Sequence, residues 1–382
     1  MQLKTTISAI AITLAASFGG TGVAFADITI GVSLSTTGPA AALGVPAANM
    51  ISLLPKEIGG QKLNVIVLDD GGDAGRATTN ARRFVTEEKA DVLVGSSITP
   101  TSTSMGNVAL ESGTPHIAVA PVALPPDRMK VTFTTLQMPP LLSTPKFKHM
   151  QQKGVKTVAM IGFSDSWGDL WIAMFKRFAE PLGMKLIADE RYGRSDSTVT
   201  GQVLKVIASN PDAVLIAASG TGAALPQIAL RERGYKGLIY HTAGAVSNDM
   251  IRVAGKSAEG LFASTSPAMF PDIIADPAMK AEAEKYVKMY EDKFGANTRN
   301  QFAPNVYDAW KVLERVIPVA LKTGAKPGTP EFRAALLKAM ESEKEIVGAH
   351  GYYNFTPTDH AGLDDRAVIM VTVKDGKWAK AD

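Results

Sequence analysis

Residues 65–97 read VIVLDDGGDAGRATTNARRFVTEEKADVLVGSS, and residues 187–219 read IADERYGRSDSTVTGQVLKVIASNPDAVLIAAS. Each stretch runs from an apolar segment through an acidic turn, a helically spaced segment, an Asp-containing turn and a second apolar segment to a Ser. The two lie 122 positions apart. Apolar runs without alternation are strands buried on both faces. Strands that alternate with helices of this length build parallel sheets from βαβ units. The pair is weak as a repeat, yet it predicts two similar α/β lobes rather than one large sheet.

The same alternation extends outward. Strand patterns fall at Ile28–Leu34, Leu63–Asp69, Val92–Gly95, His116–Ala120, Val158–Phe163, Leu186–Arg191, Val214–Ala218, Leu238–His241 and Gly260–Ser264. Helical spacing marks Ala77–Lys89, Leu170–Leu182 and Gln202–Ser209. The last third differs, with helical patterns at Ala281–Phe294, Val306–Lys322 and Phe332–Met340 before a final strand pattern at Ala367–Val373. The chain is expected to cross between lobes near Thr134–Thr135, Ser264–Pro267 and Val347–Tyr353. Lobe 1 then comprises residues 27–134 plus 266–348, and lobe 2 residues 135–265 plus 349–382.

Residues 1–26 are expected to lie outside this fold. Lys4, an apolar stretch from Ile7 to Phe18 and the Ala24-Phe25-Ala26 triplet have the layout of a secretory signal cleaved after Ala26. No later segment holds about 18 uninterrupted apolar residues. The chain of 382 residues, at about 100–200 per domain, suits two or three domains. Its 46% hydrophobic and 20% charged residues argue against disorder or a coiled coil. A net charge of +3 is weak support for a nucleic-acid partner, and none is expected. With 0 cysteines, disulfides, thiolate nucleophiles and thiolate metal sites are excluded. Export without cysteines fits a bacterial periplasm.

In open parallel sheets, ligands bind beyond the carboxyl ends of the strands, where turns lead into helix N-termini. The turn Leu34–Pro39 and the following Ala40–Gly44 are small enough for close backbone approach. Asp69, Asp70 and Asp73 offer three carboxylates, but without the distant Glu of a calcium loop they read as a turn and helix cap. Gly95–Ser102 is the strongest candidate: six of its eight residues carry a hydroxyl or are Gly, a composition that grips a carboxylate without a counter-ion. Ala118–Val122 offers backbone groups and apolar walls. Gly162–Gly168 partly resembles a nucleophile elbow around Ser164, but Ser166 stands where the second Gly belongs. Trp167 in that turn is a natural stacking wall. Ser219–Ala224 is Gly-rich but lacks a phosphate-loop Lys, and His241–Gly244 is small and polar. The five histidines are scattered and form no metal motif, so no metal or cofactor is expected.

These residues carry a resemblance. Thr37-Gly38-Pro39 with Gly44, Asp69-Asp70-x-x-Asp73, Val94-Gly95 before a Ser/Thr-rich turn, Pro115-His116-Ile117, Trp167-Gly168, Ala258-Glu259-Gly260 and Tyr307-Asp308-Ala309 occur in an order and spacing similar to the type I periplasmic binding proteins of ABC importers, in the Leu/Ile/Val-binding branch. The resemblance spans about residues 27–375. It implies two Rossmann-like lobes joined by three hinge strands around an enclosed ligand, delivery to a membrane permease, and no catalytic residues. It assigns Thr99 to the ligand carboxylate and places Ala120 and Pro121 beside it.

Departures from that branch point to specificity. Val122 stands where amino-acid binders hold the ammonium with a Thr, and Gly222 where they use a Glu. An ammonium buried without an anion costs several kcal/mol. Leu43 replaces an aromatic and widens the pocket. The resulting expectation is a monomeric periplasmic solute-binding protein for a carboxylate with an aromatic body, such as a benzoate or phenylpropanoid-type acid. Ser97 and Thr99 would meet the carboxylate; Trp167, Leu43 and Phe302 would sandwich the ring; Thr221 or His241 would bond a ring hydroxyl. The alternatives are a branched-chain amino acid or amide binder using Asp165 as its anion, and a secreted esterase using Ser164.

Overall fold

The computed structural model describes residues 27–381; the leader expected at 1–26 lies outside them. Two sheets form. The first contains β1 (Ile28–Leu34), β2 (Glu57–Ile58), β3 (Gln61–Asp69), β4 (Val92–Gly95), β5 (His116–Ala118) and β6 (Thr132–Thr134), in the order β2-β3-β1-β4-β5-β6. The second contains β7 (Thr157–Phe163), β8 (Lys185–Tyr192), β9 (Ala213–Ala217), β10 (Leu238–His241), β11 (Phe262–Thr265), β14 (Ile369–Lys374) and β15 (Lys377–Lys380), in the order β15-β14-β11-β10-β9-β7-β8. A small ribbon joins β12 (Ile346–Val347) to β13 (Tyr352–Tyr353).

The quoted repeat is the topological unit of both lobes. Its strands β3 and β4 flank β1, and their counterparts β8 and β9 flank β7, all in parallel. Even the Asp-containing turns do the same work. Asp91 accepts from Thr29 N at the start of β1 (3.1 Å), and Asp212 from Thr157 N at the start of β7 (2.8 Å). The second sheet is not wholly parallel: β14 runs antiparallel to β11 and to β15.

The helices are α1 (Ala41–Leu53), α2 (Ala74–Thr86), α3 (Thr99–Ser112), α4 (Pro139–Gln152), α5 (Ser166–Met174), α6 (Thr200–Ala208), α7 (Ala224–Glu232), α8 (Asn248–Ala254), α9 (Pro277–Phe294), α10 (Ala303–Leu321) and α11 (Pro330–Ser342). Several begin earlier than their apolar spacing indicates, because proline occupies the first turn of α9, α10 and α11. Proline is tolerated there, where its missing N–H has no intrahelical acceptor. The pattern at Leu170–Leu182 ends as an α-helix at Met174, widens into a π turn (Phe175–Ala179) and tightens into a 3₁₀ turn (Glu180–Leu182).

Each lobe has its own core. Val306, Trp310, Leu313 and Ile317 of α10 bury against Ile30, Val32 and Val94 in the first. Phe147, Trp171 and Phe175 bury against the β7, β9 and β10 strands in the second. The expected transfer to lobe 2 at residue 349 is corrected. Ala349, Tyr353 and Phe355 pack in the first core, and the chain rejoins the second sheet at β14. The cause is the buried Asp308, whose carboxylate accepts from Ala349 N (2.6 Å), His350 N (3.0 Å) and the Tyr353 hydroxyl (2.7 Å).

The crossings are tied to one another. Thr135 Oγ1 donates to Asn305 O (2.7 Å) and Thr265 Oγ1 to Gln301 Oε1 (2.7 Å). His350 bonds Ser266 Oγ through Nδ1 (2.6 Å) and Asn305 Oδ1 through Nε2 (2.7 Å). Gln301, just before α10, and Asn305 in its first turn therefore bond between them to all three connections.

Candidate functional site

The carboxyl ends of both sheets face one cavity between the lobes. Its lobe 1 wall is the turn after β4 (Ser97, Ile98, Thr99), the turn after β5 (Val119, Ala120, Pro121) and Leu43 of α1. Its lobe 2 wall is Leu142 of α4, Trp167 of α5, Arg194, Ser219 and the Ala243-Gly244 turn. Leu136 and Gln137 of the first crossing, with Gln301, Phe302 and Asn305 before and within α10, complete it.

The lobe 1 wall is held by its own polar groups. Buried Asp70 accepts from the hydroxyls of Ser33 (2.8 Å), Ser35 (2.6 Å) and Ser96 (2.5 Å), and from Gly72 N (3.0 Å). Ser35 N in turn donates to Ser97 Oγ (2.9 Å), which leaves the Ser97 hydroxyl proton for another acceptor. Burial alone would raise the Asp69 carboxyl pKa, but hydrogen bonds from the Thr37 hydroxyl, Gly71 N and Thr36 N lower it to about 2. Asp73 caps α2 through Arg76 N. The acidic turn is thus spent on building the loop. Among the described residues, no group of three His, Cys, Asp or Glu gathers in metal-binding geometry. Leu43, Ile98 and Phe302 pack together as an apolar strip along this side.

The lobe 2 wall is aromatic and cationic. Trp167 is buried at the start of α5, edge-on to Trp171 (centroids 5.7 Å apart). Arg194 lies over the Phe163 ring at 4.1 Å, donates from Nε to Asp165 Oδ2 (2.7 Å) and from Nη1 to Ser219 Oγ (3.2 Å). Asp165 also accepts from Trp167 N (2.9 Å). Its charge is committed to Arg194, so it does not serve as a free anion for an ammonium. No carboxylate side chain lines the cavity.

Three buried polar atoms on the cavity's residues have no protein partner: Thr99 Oγ1 on lobe 1, Gln137 Nε2 at the crossing and Trp167 Nε1 on lobe 2. The amide and indole nitrogens can only donate, and the hydroxyl has a proton to give. Buried donors without acceptors are costly, and each of these three atoms can donate to an acceptor oxygen.

The structure brings Leu43, Ser97, Thr99, Ala120, Pro121, Trp167 and Phe302 together on this cavity. Four other expected contacts lie elsewhere. Val122 turns to a separate surface cavity with Met138 and His360. Thr221 lines a neighbouring interlobe cavity that shares Phe302. Gly222 sits behind the wall, where Phe163 approaches it and its carbonyl accepts from Tyr192 (3.1 Å). His241 is fully buried and bonds Gln227 Oε1 through Nε2 (2.8 Å), so it does not reach the cavity. Ser164 is exposed and outside the cavity.

Sequence reading passed over Arg194, Ser219, Gln137, Gln301 and Asn305. Ser219 had a signal: it closes the second copy of the repeat as Ser97 closes the first. Arg194 stands in the turn after β8, the counterpart of the acidic turn after β3. The other three lie on crossings or beside them, where no strand-end rule applies.

The interlobe contact is close. Ser247 and Asn300 pair as an isolated antiparallel bridge, and Asn248 Nδ2 donates to Asn297 O (2.7 Å). Gly220 has φ +59°, and a Cβ there would lie 2.9 Å from Leu43 Cδ1.

Comparison with known proteins follows the same lines. The sequence model of the family described as periplasmic binding protein matches residues 27–377. The chain is 23% identical over 361 residues to Leu/Ile/Val-binding protein homolog 3 of Brucella melitensis, covering 91% of this chain and 92% of that one. An extracellular ligand-binding receptor from Rhodopseudomonas palustris HaA2 superimposes with a TM-score of 0.91 at 54% identity, covering 94% of this chain and 100% of that chain. An ABC-transporter solute-binding protein from R. palustris in complex with benzoate shares the fold (TM-score 0.77) at 18% identity, covering 93% of this chain and 95% of that chain.

Proposed function

The chain belongs to the periplasmic binding protein family, and from that premise we propose that it is the periplasmic receptor of an ABC importer for a small carboxylate with a flat apolar body, an aromatic acid of the benzoate or phenylpropanoid kind. The observation that carries this reading is the character of the cavity: apolar walls, unpartnered donors and Arg194, with no carboxylate side chain among its residues.

The ligand carboxylate meets the Thr99 and Ser97 hydroxyls at the start of α3, where the helix N-terminus adds its positive end. The ring lies between Trp167 and the Leu43–Phe302 strip, and its desolvation supplies most of the binding energy. Closure completes the site, because Trp167 and Thr99 belong to different lobes. The protein then presents the closed, loaded form to a membrane permease and releases its ligand unchanged. Two of the relatives' fold-mates are described as complexes with benzoate and with 3,4-dihydroxybenzoic acid, so the same two-lobed frame accommodates aromatic acids.

A thermal-shift screen over amino acids, aromatic acids, short fatty acids and amides tests this. Ligand at about 100 times its dissociation constant adds about 2.7 kcal/mol of stability. Stabilisation is expected from aromatic acids. Stabilisation by leucine or valine with none from any aromatic acid would contradict the ligand class.

A further inference from the structure

Lys146 is the anomaly of lobe 2. It is fully buried on α4, and its Nζ has no hydrogen-bond partner and no ion pair among the described residues. It lies over the Trp171 ring, 3.8 Å from the centroid. A buried ammonium is ordinarily paired or absent.

Three relations locate it beneath the cavity. Lys146 follows the wall residue Leu142 by one turn of α4. Trp171 follows the wall residue Trp167 by one turn of α5 and touches it edge-on. His241, whose imidazole is held down by burial and then by the Lys146 charge, precedes the wall residue Ala243 by two positions. Each neighbour of this amine is thus one step behind the lobe 2 wall. His149, three positions further along α4, bonds the Tyr240 hydroxyl of β10 (2.8 Å). Among the described residues, no carboxylate pairs with the Lys146 amine.

Resting on the ligand class proposed above, we propose that Lys146 is an electrostatic positioning residue. Its amine lies behind the edge-on Trp167–Trp171 pair, and its ammonium is answered only when an anionic ligand enters the cavity. Burial holds its pKa well below the ordinary lysine value while the cavity lacks an anion. A carboxylate bound in the cavity favours the ammonium. The residue therefore selects ionised ligands over neutral ones of the same shape, without touching them. Arg194 cannot do this alone, because Asp165 already balances it.

The test uses the full-length mature protein with two probes, 3-phenylpropionate and its primary amide. These share a skeleton and differ in charge. Lys146→Met keeps the length and packing of the side chain, and Lys146→Gln serves if the methionine variant does not melt cooperatively. The expected result has two opposite signs. The ligand-free variant melts at a higher temperature, because an unpaired buried charge has gone. Its affinity for 3-phenylpropionate falls roughly tenfold, while its affinity for the amide is unchanged. A residue with only a packing role would lower the melting temperature and leave the acid-to-amide ratio alone, and that outcome overturns the proposal. Equal losses for acid and amide overturn it as well. A wild-type protein that binds neither probe overturns the ligand class, and this role with it. A wild type that prefers the acid, beside a variant that prefers it as strongly, overturns the role of Lys146 alone.

Discussion

The two walls of the cavity are made from the same βαβ unit and use it in opposite ways. Lobe 1 answers most of its wall's polar groups internally, with Thr99 Oγ1 left over: Asp70 gathers three hydroxyls, and Ser35 holds Ser97. Lobe 2 leaves Trp167 Nε1, Trp171 Nε1, Lys146 Nζ and His241 Nδ1 buried and unanswered. A self-satisfied wall is preorganised and keeps its shape before a ligand arrives. An unsatisfied wall is held in readiness for one. The contrast teaches that the repeat supplies the frame, while side chains that break the repeat decide what enters it.

The largest effect should come from breaking the order of lobe 1. Asp70→Ala strands three hydroxyls and a backbone N–H around a buried hole. It is expected to cost about 3 kcal/mol or more in denaturant unfolding. A loss below about 1 kcal/mol would mean that lobe 1 is not organised by this carboxylate.

Next comes the aromatic wall of lobe 2. Trp167→Ala should weaken aromatic-acid binding by about a hundredfold, as expected for an anchor residue at the centre of a site. Trp167→Phe separates wall from donor, and about a tenfold loss is expected because the ring stays while Nε1 goes. Undiminished binding by Trp167→Ala in calorimetry would remove the stacking role.

A smaller change sharpens the lobe 1 side. Thr99→Val keeps the shape and removes the one unpartnered hydroxyl on that wall. A loss of about tenfold in carboxylate affinity is expected, with folding stability unchanged or slightly higher. Equal binding by the variant would move the carboxylate to another donor.

The smallest effect near neutrality is in pH. Burial depresses His116 in lobe 1 to about 4, and His241 in lobe 2 and His350 at the crossings to about 3. The unfolded chain takes up protons below about pH 6.5 that the folded chain refuses. Stability should therefore fall as pH drops from about 6.5 toward 3, by up to about 1.4 kcal/mol per histidine per pH unit. His350 ties the third crossing to Ser266 of the second and to Asn305 of α10, and replacing it with Gln should remove about one proton from that slope. Flat stability between pH 6.5 and 4 would contradict the neutral, buried state of these rings.

The frame was legible because it rests on local patterns. Apolar runs marked ten of the strands within a residue or two but not β2, β6, β12, β13 or β15, and the repeat at 65–97 and 187–219 indicated the two-lobed plan. The third crossing was not legible. It is set by Asp308, which draws residues 349–353 onto lobe 1 from more than forty positions away. The site divided along the same line. Strand-end turns announced Ser97, Thr99 and Trp167, whereas Arg194 and Gln137 enter the cavity through tertiary placement that no spacing encodes. His241 misled because a polar residue at a strand end faces a ligand or its own lobe, and Gln227 on α7 decides which.

Calorimetric titration with a matched pair, 3-phenylpropionate and phenylalanine, tests the central claim most directly, since the second adds only an α-ammonium to the first. A cavity whose residues include no carboxylate cannot answer that ammonium, and burying it unpaired costs several kcal/mol. The acid is predicted to bind at least about a hundredfold more tightly than the amino acid. Phenylalanine binding as tightly as the acid, or more so, would contradict the claim.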